Sequence, residues 1–291
     1  MIITYKNNNI ILSEFKDFSL TDVFDCGQCF RWNRTDDGSY IGVANNKALR
    51  ISEDNNSLIF HNTTREDFEN IWHDYFDLDR DYEEIRSLLG ADENLSGAFD
   101  FGSGIRILKQ PLWECVVSFI ISASNNIPRI KKIVELLCKN FGDEISYMGN
   151  TYYSFPSPEK IALLSLSDLA VIRAGFRDKY ILDAAGKFLT DPMLSEDYLK
   201  SISTKEAKDV LMRINGVGSK VADCVLLFGL GKYDSFPVDV WMKRIMEYLY
   251  FDKHEQSIKT ISDFAESKFG NLSGFAQQYL FFYARENKIG L

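Results

Sequence analysis

The sequence predicts an α+β chain: an N-terminal antiparallel β-sheet domain followed by a mainly α-helical body. Up to residue 62 the apolar residues come in short β-prone runs divided by polar turn clusters, and from Thr64 onward they recur at helical intervals. No repeat and no low-complexity linker divides the later segments, so the helices form one body. The expected division is 1–100 for the sheet domain with the helices that follow it, and 101–291 for the helical body.

The strands are expected at Ile2–Tyr5, Ile10–Ser13, Cys29–Trp32, Tyr40–Val43, Ala48–Ile51 and Ser57–Phe60. The clusters TDDGS, ANNK and EDNNS between them are rich in residues that tolerate tight turns, which reads as a meander of hairpins. Thr64 then stands before EDFENIWHDYF, where Phe68, Ile71, Trp72, Tyr75 and Phe76 share a helical face, so it is the expected N-cap of the first helix. Further helices are expected at Tyr82–Leu89, Pro111–Ser122, Ile127–Asn140, Ser157–Leu164, Ser167–Ala174, Asp178–Leu189, Ser195–Lys200, Thr204–Arg213, Ser219–Phe228, Val238–Tyr248, Ile258–Phe269 and Gly274–Arg285.

With 45% hydrophobic residues among 291, the chain can bury a substantial core. No apolar run is long enough for a membrane span and the N-terminus lacks a signal-peptide layout, so the protein is expected to stay where it is made. The wealth of Ile, Lys and Asn hints at an AT-rich bacterial genome, hence a bacterial cytoplasm. Five cysteines, an odd number, are expected to be reduced. Cys26 and Cys29 form a C-x-x-C, but no second pair exists and the three histidines have no ligand spacing, so the pair reads as structural and no metal site is expected. The net charge of −9 argues against a nucleic-acid partner until its distribution is read. Residues 64–100 hold 12 of the 42 acidic and 3 of the 33 basic residues, which leaves the remainder balanced at 30 of each. A local basic face therefore remains available.

One stretch, Ile214 to Arg244, concentrates the candidate chemistry. Gly216, Val217 and Gly218 form a hairpin between two helices, the unit spanning 204–229, and such a hairpin lets a backbone approach another molecule closely while the next helix turns its amides and positive dipole end outward. This is an anion site suited to a phosphate. Lys220 lies in the first helical turn beyond it, among Val221, Ala222 and Val225. Partial desolvation beside a helix N-terminus lowers the pKa of an amine and suits it to nucleophilic attack, although a solvated lysine would read the same way. Cys224 shares its face one turn on, as a pocket residue or a buried structural thiol. Asp239 follows a proline turn at a helix start, where it can cap the helix and also stabilise positive charge on a reacting sugar.

GVGSKVADC followed by FPVDVWM resembles the signature of the helix-hairpin-helix DNA glycosylases, and within them the 8-oxoguanine branch. CGQCFRW at Cys26–Trp32, YFDLD at Tyr75–Asp79, SFIISASNNIPRI at Ser118–Ile130, GFRDKY at Gly175–Tyr180 and GFAQQYLF at Gly274–Phe281 resemble further family motifs in the same order, so the likeness covers most of the chain. The resemblance implies that Lys220 attacks C1′ of the damaged nucleotide and forms a Schiff base, with Asp239 stabilising the transition state. It implies that the Gly27 carbonyl accepts the N7 hydrogen of 8-oxoguanine, that Cys224 and Phe281 sandwich the base, and that Gln277 binds its Watson–Crick edge. Base flipping leaves a gap and an orphaned partner, and Phe176 as wedge with Arg177, Arg129 and Asn126 fits that task. Arg129, Lys131, Lys132, Arg173, Arg177, Lys179, Lys243 and Arg244 are the candidate DNA face.

The implied partner is double-stranded DNA containing 8-oxoguanine, met by a monomer without a membrane. No redox or organic cofactor and no iron–sulfur cluster are implied, though a monovalent or divalent cation at the hairpin carbonyls belongs to the DNA-bound state. The chain departs from the family pattern at Trp241, where many members have His, at Phe176 in place of Tyr, and at Ser124 in place of Asn; these positions bear on how strictly cytosine is required opposite the lesion. A glycosylase for another oxidised or ring-opened purine and a non-catalytic DNA-binding module remain the alternatives. Retention of both Lys220 and Asp239 disfavours the second.

Overall fold

Six strands, β1 (Ile2–Lys6), β2 (Asn9–Ser13), β3 (Trp32–Arg34), β4 (Tyr40–Ala44), β5 (Lys47–Asp54) and β6 (Ser57–His61), pair antiparallel in the order β1-β2-β6-β5-β4-β3. The structure, a computed structural model, describes residues 1–54 and 56–289; Asn55, in the EDNNS cluster read as a turn, lies outside them. The expected hairpins hold between β1 and β2 and from β3 to β6, but the meander breaks between β2 and β3, because β6 returns to pair with β2. The register sets Ile10, Phe60, Ile51 and Tyr40 in one cross-strand row, all buried. Behind that row an aromatic core of Phe24, Trp32, Phe68, Trp72, Tyr75 and Phe76 fills the space. Thr64 caps the helical turn at Arg65 as expected, its hydroxyl accepting from the Asp67 amide at 3.0 Å.

Helices of eight residues or more are α1 (Tyr82–Leu89), α2 (Glu93–Phe101), α3 (Leu112–Ser122), α4 (Ile127–Phe141), α5 (Asp178–Thr190), α6 (Thr204–Leu211), α7 (Ser219–Leu230), α8 (Val240–Tyr250), α9 (Ile258–Phe269) and α10 (Ser273–Asn287). Their second core is separate from the first. The chain segment 82–100, which the sequence placed with the sheet domain, buries Tyr82, Ile85, Leu89, Leu95 and Phe99 in this helical core instead. Helices α3 and α7 are buried along almost their whole length, which is why both read as apolar runs rather than as one-sided stripes. The sequence did not anticipate α2 or the hairpin β7 (Glu144–Tyr147) and β8 (Asn150–Tyr153). Tyr147 fixes that hairpin to the sheet: its hydroxyl accepts from the Arg50 amide at 3.0 Å and donates to the His61 carbonyl.

The seam between the two cores runs through the CGQC turn. Cys26 packs into the helical core and Cys29 into the sheet core, both buried and unpaired, so this C-x-x-C is packing. Of the expected strand Cys29–Trp32 only Trp32 joins the sheet, as the first residue of β3, because the preceding residues serve the seam. Gln28 is fully buried between them. Its Nε2 donates to the carbonyls of Val23 (2.9 Å) and Arg106 (2.7 Å), its Oε1 accepts from the Leu108 amide at 2.9 Å, and its own carbonyl accepts from Gln110 Nε2 at 2.8 Å. A buried glutamine with both ends satisfied holds the turn at Gly27 rigidly. Among the described residues no helix is long and apolar enough to cross a membrane, and no cluster of His, Cys, Asp and Glu could hold a metal ion.

Candidate active site

Helix α6, the hairpin and helix α7 form the helix-hairpin-helix unit that the sequence placed at 204–229. Three contacts set its shape. Gly216 has φ +87°, and a Cβ there would lie 2.6 Å from the Tyr180 ring on α5, so both the turn and the packing require glycine. Asp183, also on α5, accepts from the backbone N–H and the Nδ2 of Asn215, each at 2.8 Å, and from Lys187 at 2.8 Å. Asp223 on α7 is buried and accepts from Lys208 on α6 at 2.7 Å, while Ser235 donates to its carbonyl at 3.1 Å. Asp223 thus ties together both helices of the motif and the turn that leads to Asp239. Sequence reasoning singled out neither aspartate nor Tyr180; the signal available was an acidic residue amid the apolar run of α7.

The hairpin's outer side is open. Gly218 is the N-cap of α7 without any side-chain cap, and nothing lies within 4 Å of a Cβ placed on it. The uncapped first turn of α7 therefore offers N–H groups to an anion that approaches closely. Val217 differs from its neighbours: its side chain is buried and its amide is already spent on the Ile214 carbonyl at 3.0 Å, so of the three hairpin residues expected to meet DNA it serves the packing. As for a cation, the Arg213 carbonyl already accepts from the Lys187 ammonium at 2.6 Å.

Lys220 is half-buried in the first turn of α7, its Nζ 3.4 Å from Ser122 Oγ and 5.2 Å from the Phe119 ring centre, both on α3. Asp239 caps α8, accepting from the Met242 amide at 2.8 Å. Cys224, one turn beyond Lys220 on α7, is buried, and burial pushes its thiol up to about 11; the Lys220 charge opposes the shift, and the charges of Asp223 and Asp239 add to it. An amine and a protonated thiol thus share one face of α7, and the capped carboxylate stands at the start of the next helix.

The residues expected to read the base form a second group, where the CGQC turn meets α10. Gly27 has φ +89°, and a Cβ there would sit 3.1 Å from Phe281 Cε1. Gln277 lies one turn before Phe281 on α10 and is buried, with its Oε1 unpartnered. A buried carbonyl oxygen without a donor costs roughly 1–3 kcal/mol, a cost a bound ligand with an N–H would remove.

The strand-opening residues divide. Phe176 is 56% exposed and stands edge-on to Tyr180, the ring that also packs on Gly216, so wedge and hairpin are built on one side chain. Arg129 is exposed, and Asn126 caps α4 by accepting from the Arg129 amide at 3.0 Å. Arg177 departs from expectation. It is buried, its guanidinium donating to the carbonyls of Ala123, Ser124 and Ala174, and so it holds the 123–125 loop in place instead of extending outward. Burial, and then the Arg129 charge, lower its hold on its proton. Of the remaining candidate DNA face, Lys131 donates to the Trp32 carbonyl at 2.7 Å, Lys132 pairs with Glu135, and Lys243 pairs with Glu247 and Glu255, whereas Arg173 and Lys179 are exposed. Trp241 is half-buried with Arg244 over its ring at 5.7 Å.

Comparison with known proteins gives the same outline. Residues 10–116 match the 8-oxoguanine DNA glycosylase N-terminal domain, and residues 117–271 match the HhH-GPD superfamily of base excision DNA repair proteins. Among solved structures, MBOgg1 in complex with a low-affinity DNA ligand superposes with a TM-score of 0.95 at 49% identity over 99% of both chains. The 8-oxoguanine glycosylase/lyase of Clostridium acetobutylicum, in complex with double-stranded DNA containing cytosine opposite 8-oxoguanine, superposes with a TM-score of 0.95 at 44% identity, again over 99% of both chains. The N-glycosylase/DNA lyase of Saccharomyces cerevisiae is 32% identical over 85% of this chain and 72% of the yeast protein.

Proposed function

The chain belongs to the HhH-GPD superfamily of base excision DNA repair proteins, and from that premise we propose that it excises 8-oxoguanine from double-stranded DNA and then nicks the strand as a lyase. The single observation that carries this reading is the placement of Lys220 in the uncapped first turn of α7, with Asp239 fixed as the cap of the next helix. A phosphate docks at the amides of Gly218 and the first turn of α7, which sets the neighbouring sugar within reach of Lys220. The target nucleotide is flipped, Phe176 filling the gap it leaves, and the base enters between Cys224 and Phe281. There the Gly27 carbonyl accepts N7–H, a donor that 8-oxoguanine has and guanine lacks, and Gln277 Oε1 gains its partner from the Watson–Crick edge.

Once its ammonium has given up a proton, the Lys220 amine donates its electron pair to C1′ as the C1′–N9 bond breaks, and the base leaves with that bond's electrons and takes up a proton. Asp239, held by the helix it caps, faces the positive charge that develops on the sugar. Loss of an amine proton and opening of the sugar ring give the Schiff base. Removal of a C2′ proton then expels the 3′ phosphate by β-elimination, and water releases the lysine. Every atom in this sequence comes from DNA, protein or water, so the reaction calls for no redox or organic cofactor; a cation at the hairpin carbonyls would assist phosphate binding only. In this reading the protein works as a monomer in the bacterial cytoplasm, on the chromosome.

The test is single-turnover release of base from duplexes carrying 8-oxoguanine opposite each of the four bases, beside an alkylated purine and a ring-opened purine. Excision of 8-oxoguanine with coupled nicking supports the reading. Excision confined to the other lesions, or duplex binding without excision, overturns it.

A further inference from the structure

Two buried polar atoms without a hydrogen-bond partner fall on one face of α10: Gln277 Oε1 and Arg285 Nη1. With Phe281 between them, the three residues follow one another at four-residue spacing, and a helix puts such residues in one stripe. Arg285 Nη1 lies 3.0 Å from the Cβ position of Gly27, and the guanidinium carbon is 5.6 Å from the Phe281 ring centre. The rest of the fork is committed. Nε and Nη2 bond the Glu286 carboxylate at 2.8 and 2.7 Å, and Nη2 also donates to the Asp25 carbonyl, two residues before Gly27. The side chain is 16% exposed. A guanidinium held by two partners, Glu286 and the Asp25 carbonyl, keeps its Nη1 hydrogens buried against the Gly27 turn and the Phe281 ring, uncommitted and available to a base that enters between them.

The chemistry of the guest follows from the surroundings. Glu286 already balances the arginine charge, so the remaining donors suit a neutral acceptor better than a phosphate, which has its own place at the hairpin. We infer that Arg285 determines specificity in the base slot, with Nη1 donating to a carbonyl oxygen on the purine edge that faces Gly27. This rests on the 8-oxoguanine reading above and deepens it: on that edge 8-oxoguanine carries two such oxygens, O6 and O8, one on each side of N7. Adenine has an amino group at C6 and neither oxygen, so the same arginine disfavours it by leaving a buried donor unpaired.

The test compares two reactions of one protein: excision of 8-oxoguanine from a duplex and nicking of a duplex with a pre-formed abasic site, which presents no base. In Arg285→Met the ratio of excision to nicking falls roughly ten- to a hundredfold, the weight of one hydrogen bond to a charged donor. Arg285→Lys, which keeps charge and stem, falls between Met and the wild type. An unchanged ratio overturns the inference, and so does a fallen ratio accompanied by faster hydrogen exchange at the amides of residues 25–29, the sign that Arg285 merely clamps the Gly27 turn. Binding by Lys220→Gln protein, with and without Arg285→Met, to duplexes holding 8-oxoguanine or 8-oxoadenine then separates the two oxygens. Equal weakening on both bases points to O8, and weakening on 8-oxoguanine alone points to O6. A wild type that releases other bases but not 8-oxoguanine defeats the functional reading itself, and this inference falls with it.

Discussion

Asp183 holds Asn215 by both of its nitrogens, accepting from the backbone N–H and from Nδ2 at 2.8 Å each. Through this pair the hairpin is fixed to α5, the helix that also carries Tyr180 under Gly216 and begins just past Phe176. Phosphate site and wedge therefore move as one unit. Asp183→Ala should cost about 1–3 kcal/mol of stability, the usual loss when hydrogen bonds to a charged group are removed. It should also weaken duplex binding, with thermal unfolding and fluorescence anisotropy as the two measurements.

The same carboxylate sets a pH dependence. Partial burial pushes the Asp183 pKa up, but Lys187 and the two Asn215 donors outweigh it and the net shift is downward. A lowered folded-state pKa means the contribution is complete above the ordinary aspartate value of 3.8 and fades as pH falls through the lower folded value. Wild type and Asp183→Asn should accordingly differ in urea midpoint at pH 6 and converge toward pH 3. A difference that grows on acidification would contradict this.

Asp223 behaves in the opposite sense. Burial raises its pKa, and Lys208 is the main opposing influence. Lys208→Ala leaves a buried carboxylate without its counter-charge and should cost about 2 kcal/mol. The unfolded chain ionises Asp223 first as pH rises, so the loss should be larger at pH 8 than at pH 5. Denaturant unfolding at the two values measures it.

Phe176 is exposed, and its removal opens no cavity. Phe176→Ala should therefore shift stability by no more than about 0.5 kcal/mol. Flipping should suffer instead: the fluorescence rise of 2-aminopurine placed beside the lesion should slow by about tenfold, a wedge being worth on the order of 1–2 kcal/mol of unstacking.

All five cysteines are buried and unpaired, and burial pushes Cys26 and Cys224 up to about 11 and Cys138 up to about 12, with Cys29 and Cys115 well above the usual range. A thiol-specific disulfide reagent at pH 8 should find none of the five in the folded protein and all five after denaturation. Fast reaction of Cys26 or Cys29 in the folded state would break the reading of that turn as packing.

The order of sheet and helices was legible because binary patterning changes period at Thr64, and most helix positions followed from it. The return of β6 to β2 was not, since pairing between distant strands leaves no mark in local sequence. Lys220, Asp239 and Gly216 stood out in the sequence by residue type and spacing. The burial of Arg177 was not legible for a physical reason: an arginine beside an exposed phenylalanine reads as a surface cation, and nothing local announces that the Ala123 and Ser124 carbonyls of a distant loop enclose it together with that of Ala174. Arg285 was passed over as the end of a helix, and only the approach of the Gly27 turn from the far end of the chain gives its Nη1 a setting.

The central claim is that one amine performs the chemistry. Borohydride reduction during turnover on an 8-oxoguanine duplex, followed by proteolysis and mass spectrometry, tests it most directly. The mechanism requires a single covalent DNA adduct on Lys220 and none in Lys220→Gln. A normal adduct yield in Lys220→Gln, or excision by the wild type with no adduct at all, would contradict it.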